Sequence, residues 1–112
     1  HIKLVTDLWC GAGAIVTSMD VREHDEILAA TSHLPHFLAY SLVDTLAAKG
    51  DNHEIFRYAA GGFRDFTRIA ASDPVMWRDI CLNNSEAILA VGELYTKSLN
   101  SSCKSQVQKS SK

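Results

Sequence analysis

The sequence predicts an all-α protein: a helical bundle with a long C-terminal helix, preceded by a short helix–strand segment. Three observations carry this expectation. Ile27, Leu28, Leu34, Phe37, Leu38, Leu42 and Leu46 recur at helical spacing. Asp73 followed by Pro74 is a strong helix start, a capping side chain before a residue whose fixed φ suits the first turn. Beyond it, Trp77, Ile80, Cys81, Ile88, Leu89, Leu94 and Tyr95 hold the period for roughly 25 residues, about 40 Å of helix. A lone helix of that length needs a partner over its apolar stripe, so the bundle is expected to dimerise.

The elements are justified in chain order. The opening "HIKLVTDLWC" reads as a short helix over about residues 1–10, closed by a glycine turn. In "AIVTSM", Ile15, Thr17 and Met19 alternate with Val16 and Ser18, the period of a strand. "GAGAIV" is not a dinucleotide fingerprint. That pattern follows a strand and needs a third small residue opening a helix, whereas Val16 stands at that place and the glycines precede the strand. Asp20 can cap the next helix, and Glu23 completes a capping box. The apolar period runs through Pro35, so a kink is expected there, with a carbonyl freed near Thr31. Gly50 in "AAKGDN" is the stop signal. "HEIFRYAAGGFRDFTRIAAS" reads as a helix, an interruption at Gly61–Gly62 that permits close backbone approach, and a second helix. The closing "NSSCKSQVQKSSK" is Ser-, Lys- and Gln-rich, and a disordered tail or linker is expected.

Composition narrows the function. The chain has 112 residues, 46% of them apolar, and a formal net charge of −2. Lys104, Lys109 and Lys112 lie beyond residue 100, so the first hundred residues carry −5. A nucleic-acid partner requires a basic face, which this balance argues against. No apolar run approaches the roughly 20 residues of a membrane span, giving the expectation of a cytoplasmic protein without a membrane partner. Cys10, Cys81 and Cys103 have neither metal nor redox spacing and read as unpaired thiols. The chain opens at His1 inside an apolar-patterned segment, so it is expected to be a piece of something longer.

Four groups of residues carry candidate chemistry. His33 and His36 lie about 60° apart on a helical wheel and share a face. They could bind a metal, line a pocket, or sit as a satisfied half-buried pair. Metal binding would need further ligands; His24 and Asp25 form a His–Asp doublet, but His24 points about 180° away from His33 on a straight helix. In "GGFRDFTR", Arg64 and Arg68 lie one turn apart with Asp65 three before Arg68. The segment is either a surface ion pair or an anion clamp, since a guanidinium matches a carboxylate, with Phe63 and Phe66 packed beneath. Trp77 belongs either to the core or to a pocket wall.

Together, "EHD", "SHLPH", "GGFRDFTRIA" and "DPVMWRDICLNN" resemble, in this order and spacing, the C-terminal domain of prephenate dehydrogenases, also called cyclohexadienyl or arogenate dehydrogenases. The likeness covers about residues 8–99. The family oxidatively decarboxylates prephenate or arogenate with NAD or NADP on the way to tyrosine. A Rossmann domain binds the nucleotide, and an all-helical domain dimerises and completes the substrate cleft. The resemblance implies that Arg68 binds a substrate carboxylate and that His33 and His36 line the pocket. It implies that Asp65 supports the cleft and orients the arginine, and that His24 and Trp77 occupy pocket or near-pocket positions. It further implies a homodimer, with tyrosine a candidate feedback inhibitor; the alternative reading is a non-catalytic helical dimerisation or tyrosine-sensing module. Residues 1–19 would then be a remnant of the nucleotide domain, 20–100 the substrate and dimerisation domain, and 101–112 the tail. No catalytic or cofactor-binding residue is expected in this chain, because the family's fingerprint and hydroxyl-polarising histidine would lie upstream of His1. No dehydrogenase activity is expected of the chain alone. Prephenate carries two carboxylates and a hydroxyl, so its pocket needs an arginine and several further donors.

Overall fold

A computed structural model of the chain describes residues 1–50 and 52–110, the side chain of Asn52 excepted. Among these residues all regular structure is helical, with no strand. In order come α1 (Ile2–Gly11), α2 (Val21–Leu28), a π-helical turn (Ala29–His33), α3 (Leu34–Ala47), α4 (Asn52–Arg57), α5 (Gly61–Thr67), a 3₁₀ turn (Arg68–Ala71), α6 (Pro74–Asn83) and α7 (Ser85–Ser110).

The kink expected at Pro35 takes the form of the π turn just before it. Proline lacks an amide hydrogen and crowds the preceding turn; the helix accommodates it by closing one residue later, with the Leu34 amide bonded to the Ala29 carbonyl. Ala29 is buried where this turn meets α7. The His36 ring bonds the Ser32 carbonyl, one residue beyond Thr31.

Four expectations are corrected. Residues 14–20 are irregular rather than a strand, since nothing among the described residues pairs with them; Ile15 is 96% exposed. Asp20 takes the extended cap conformation, but its side chain makes no capping bond. The long last helix is broken at Asn84, whose φ of −124° and ψ of 31° end α6. Its carbonyl then receives the Ile88 amide, 3.1 Å away, to open α7. Asparagine competes for backbone partners and favours helix ends over interiors. The tail is helical: α7 carries Ser101–Ser110 as a regular extension, because lysine and glutamine are good helix formers and propagation from a formed helix is cheap. Residues 111 and 112 of that tail, and Asp51 of "AAKGDN", lie outside the described residues.

Other signals hold locally. Asp73 caps α6, its carboxylate accepting the Val75 amide at 3.0 Å. The chain is interrupted before α5, which begins at Gly61. A Cβ at Gly61 or Gly62 would meet open space, so no close approach is made there among the described residues. α3 ends at Ala47, ahead of Gly50.

The apolar core is small. Ala29, Leu34, Ala39 and Ile88 are the buried hydrophobic residues among those described, and they mark where the α2–α3 segment crosses α7. The radius of gyration is 18.8 Å, against about 13 Å for a chain of this length folded alone. Large apolar side chains are left open: Leu82, Leu89, Phe37 and Tyr95, with Leu34 and Leu38, line a groove of about 590 Å³ between α3, α6 and α7.

Candidate functional site

The π turn, the first turn of α3 and the middle of α6 converge on one aromatic cluster. The His36 ring stacks on Trp77 at 3.6 Å between centroids and 15° between planes. The His33 ring meets the same indole edge-on at 6.1 Å and 73°. The bulge sets this arrangement: it puts both histidines on the side facing α6, and Asp73–Pro74 starts α6 so that Trp77 falls one turn in. Tyr40, one turn beyond His36, donates to the Ser72 carbonyl at 2.6 Å. That bond pins α3 to the segment leading into α6.

Hydrogen bonds fix both rings. His36 Nδ1 lies 2.8 Å from the Ser32 carbonyl, which can only accept, so Nδ1 carries a hydrogen. His33 Nδ1 lies 3.1 Å from the side-chain amide nitrogen of Asn84. That amide also donates to the Asp25 carbonyl at 2.8 Å, tying α2, the π turn and the α6–α7 junction at one point. Burial pushes His33 below its ordinary pKa; the Asp25 carboxylate opposes the shift, and His24 and His36 add to it. Burial also pushes the Cys81 thiol up. Trp77 Nε1 is buried without an acceptor, a cost of about 1–3 kcal/mol for such a donor.

The structure therefore brings together His33, His36 and Trp77. His24 is exposed, its Nδ1 3.1 Å from the Asp25 carboxylate, near enough to act on His33 through charge. Arg68 and Asp65 are placed apart from the cluster. They lie exposed on α5 and the 3₁₀ turn, both packed along α3. Among the described residues no ion pair joins Asp65 to Arg64 or Arg68, so the aspartate does not hold the arginine here, and the Arg68 guanidinium is open to an anion. Among the described residues no group of three or more histidine, cysteine or acidic side chains could hold a metal, and no helix is long and apolar enough to cross a membrane.

Sequence reasoning gave no role to Asn84 and Tyr40. Asn84 stood inside a motif and within a presumed continuous helix, and only the break at that residue frees its side chain. Tyr40 was legible as a same-face neighbour of His36 at i+4, but its partner is 32 residues away. Beside the aromatic stack, a cleft of about 310 Å³ opens between α3 and α6, lined also by Phe37, Tyr40, Pro74 and Arg78.

Known proteins share this arrangement of helices. Residues 20–110 match the family described as prephenate dehydrogenase, dimerization domain. The cyclohexadienyl dehydrogenase of Zymomonas mobilis is 45% identical over 92 residues, which are 80% of this chain and 31% of that protein. The prephenate dehydrogenase of Bacillus subtilis is 43% identical over 89 residues, 79% of this chain and 24% of that protein. The chain thus spans about a quarter to a third of these relatives. The crystal structure of A. aeolicus prephenate dehydrogenase in complex with hydroxyphenyl propionate and NAD+ superposes with a TM-score of 0.88 at 43% identity, over 99% of this chain and 39% of that one. A match over residues 20–110, with the "SHLPH" turn stacked on the tryptophan of the "DP" helix, places the chain in the prephenate dehydrogenase dimerization-domain family.

Proposed function

We propose that this chain supplies one wall of the substrate cleft and the dimer contact of an enzyme that oxidatively decarboxylates prephenate, or arogenate, in tyrosine synthesis. The observation that carries the reading is the His33–His36–Trp77 cluster beside an open 310 Å³ cleft, a volume at the lower end of those that take small ligands. Within the cleft the indole and Phe37 offer flat apolar surface to a six-membered ring, and His36 and Arg78 offer polar atoms; the charge that a substrate carboxylate requires is assigned to Arg68, which lies outside that lining. Hydroxyphenyl propionate, the ligand of the A. aeolicus relative, has this chemistry: a ring, a hydroxyl and a carboxylate.

The described residues do not fit a dinucleotide. The glycines at 11 and 13 follow a helix and lead into an irregular segment, without the strand–turn–helix that cradles a pyrophosphate. In this reading NAD or NADP is held by other residues of the enzyme, and α1 with its exposed Leu4, Leu8 and Trp9 packs against that nucleotide-binding part. Turnover therefore requires more than this chain: mixing it with prephenate and NAD+ or NADP+ yields no reduced cofactor, and production above background overturns the assignment of roles.

The groove between α3, α6 and α7 is the proposed seat of a second copy of the chain. Its lining is apolar, Phe37, Leu82 and Leu89 being more than half exposed. The family description names dimerization, and α7 leaves Leu89, Leu94 and Leu99 at least half exposed along its length.

Calorimetric titration with hydroxyphenyl propionate tests the substrate wall. Arg68→Ala is expected to weaken binding roughly ten- to hundredfold, the worth of a charge-assisted hydrogen bond of about 1.5–3 kcal/mol, with the dimer intact by sedimentation. Unchanged affinity removes Arg68 from the site; loss of the dimer as well makes the arginine structural.

A further inference from the structure

The two histidines are not chemically alike, and the difference traces to Asn84. The Asp25 carbonyl can only accept, so the Asn84 atom 2.8 Å from it is the amide nitrogen and not the oxygen. The same nitrogen lies 3.1 Å from His33 Nδ1. An amide NH₂ has two hydrogens, so a single side chain serves both acceptors. With Nδ1 accepting, the hydrogen of a neutral His33 resides on Nε2. In His36 the order is reversed: Nδ1 donates to the Ser32 carbonyl, and the neutral ring has its lone pair on Nε2.

We infer that Asn84 is a positioning residue for the histidine pair, locking His33 as the neutral Nε2–H tautomer while the π-turn carbonyl of Ser32 holds His36 as the opposite one. Neither Nε2 has a partner among the described residues, and neither is among the buried orphaned atoms. His36 lines the cleft beside Trp77, and His33 meets the same indole edge-on, so a ligand that contacts both rings meets one lone pair and one N–H. A hydroxyl gives one hydrogen bond and takes another, and so matches both. A carboxylate only accepts, and matches His33 alone until His36 gains a proton.

At the proposed substrate wall this arrangement favours a ring group that is a hydroxyl over one that is a carboxylate. That use rests on the proposed substrate wall; the tautomers themselves do not. The titratable groups acting on His33 are Asp25 and His24 from α2 and His36 from α3. Trp77 from α6 and Asn84 from the α6–α7 junction add no charge.

Long-range ¹H–¹⁵N correlation of the ¹⁵N-histidine-labelled full chain, without ligand, reads each tautomer directly. The expected spectrum at pH 8 shows His33 protonated at Nε2 and His36 protonated at Nδ1. His33 protonated at Nδ1, or averaged between the two forms, overturns the inference whatever any variant does. Asn84→Ala is expected to release His33 into the averaged pattern and leave His36 unchanged. Asn84→Asp, whose carboxylate only accepts, is expected to move the His33 proton to Nδ1 and raise its titration midpoint. An unaltered His33 signature in both variants rules Asn84 out as the lock. Adding hydroxyphenyl propionate separates the two claims: correct tautomers with no ligand-induced shift at His33 or His36 uphold the lock and refute the substrate wall.

Discussion

Ile88 and Leu89 are neighbours on α7, yet they belong to opposite kinds of surface. Ile88 is 7% exposed, closed in where the π turn and α3 cross α7, and Leu89 is 66% exposed along the open groove. Around Ile88 the chain is closed: Ala29 and Leu34 are buried in the π turn and α3 that cross α7, Asn84 donates to His33 and to the Asp25 carbonyl, and the Ser32 carbonyl accepts from His36. Around Leu89 it is open, because Leu82, Phe37 and Tyr95 present apolar area that nothing among the described residues covers. A monomeric protein rarely exposes so continuous an apolar strip. The same helix therefore stabilises the fold with one side and leaves open the other, the side proposed above to receive a second chain.

The largest expected effect breaks the closed side. Ile88→Ala removes buried methyl groups from a crossing with few other core residues, and should cost about 2–5 kcal/mol of stability. Urea unfolding followed by circular dichroism checks this, with the midpoint falling at every protein concentration. A loss below about 0.5 kcal/mol, the level of ordinary surface changes, would mean that this crossing is not the core.

A smaller and different effect marks the open side. Leu89→Asp places a charge in the groove and should weaken self-association about tenfold to a hundredfold, in the range of a moderate interface residue. Sedimentation equilibrium would show the dimer giving way to monomer at micromolar concentration, while helix content stays close to that of the parent. A dimer of unchanged affinity would assign the groove to some other occupant. The two substitutions together turn a difference of one residue into a difference of kind.

Much of this contrast was legible in the residues. The apolar period from Ile27 to Leu46 and the Asp73–Pro74 start gave the helices and the need for a partner, because both signals are local or periodic. The motifs that identified the family also placed His33, His36 and Trp77 in one region. What was not legible depended on long-range competition. Asn84 ends α6 because its side chain finds Asp25 and His33, 59 and 51 residues away, and no local pattern encodes that. The tail looked disordered by composition, but lysine and glutamine propagate a helix that is already nucleated. The alternation in "AIVTSM" had strand period but no partner among the described residues, and a strand exists only in a ladder.

The smallest effect concerns pH, and it sharpens the description of the closed corner. Burial there disfavours a charged His33 and outweighs the attraction of Asp25, so the folded pKa lies below the ordinary 6.5 at which the unfolded chain titrates. Between those two values the unfolded state binds more protons than the native one, and stability rises with pH. The contribution of His33 is therefore whole above about pH 6.5 and is lost as the pH falls through the depressed folded value. His33 is only partly buried, so water screens the penalty and the loss should be modest. Urea midpoints at fixed protein concentration between pH 8 and pH 5 measure it, taken as the difference between the parent chain and His33→Gln so that the other histidines cancel. The difference should narrow or change sign on acidification, because only the parent loses the neutral ring. A parent chain that gains stability over His33→Gln as the pH falls would mean that the Asp25 carboxylate outweighs burial and that His33 is held there as an imidazolium.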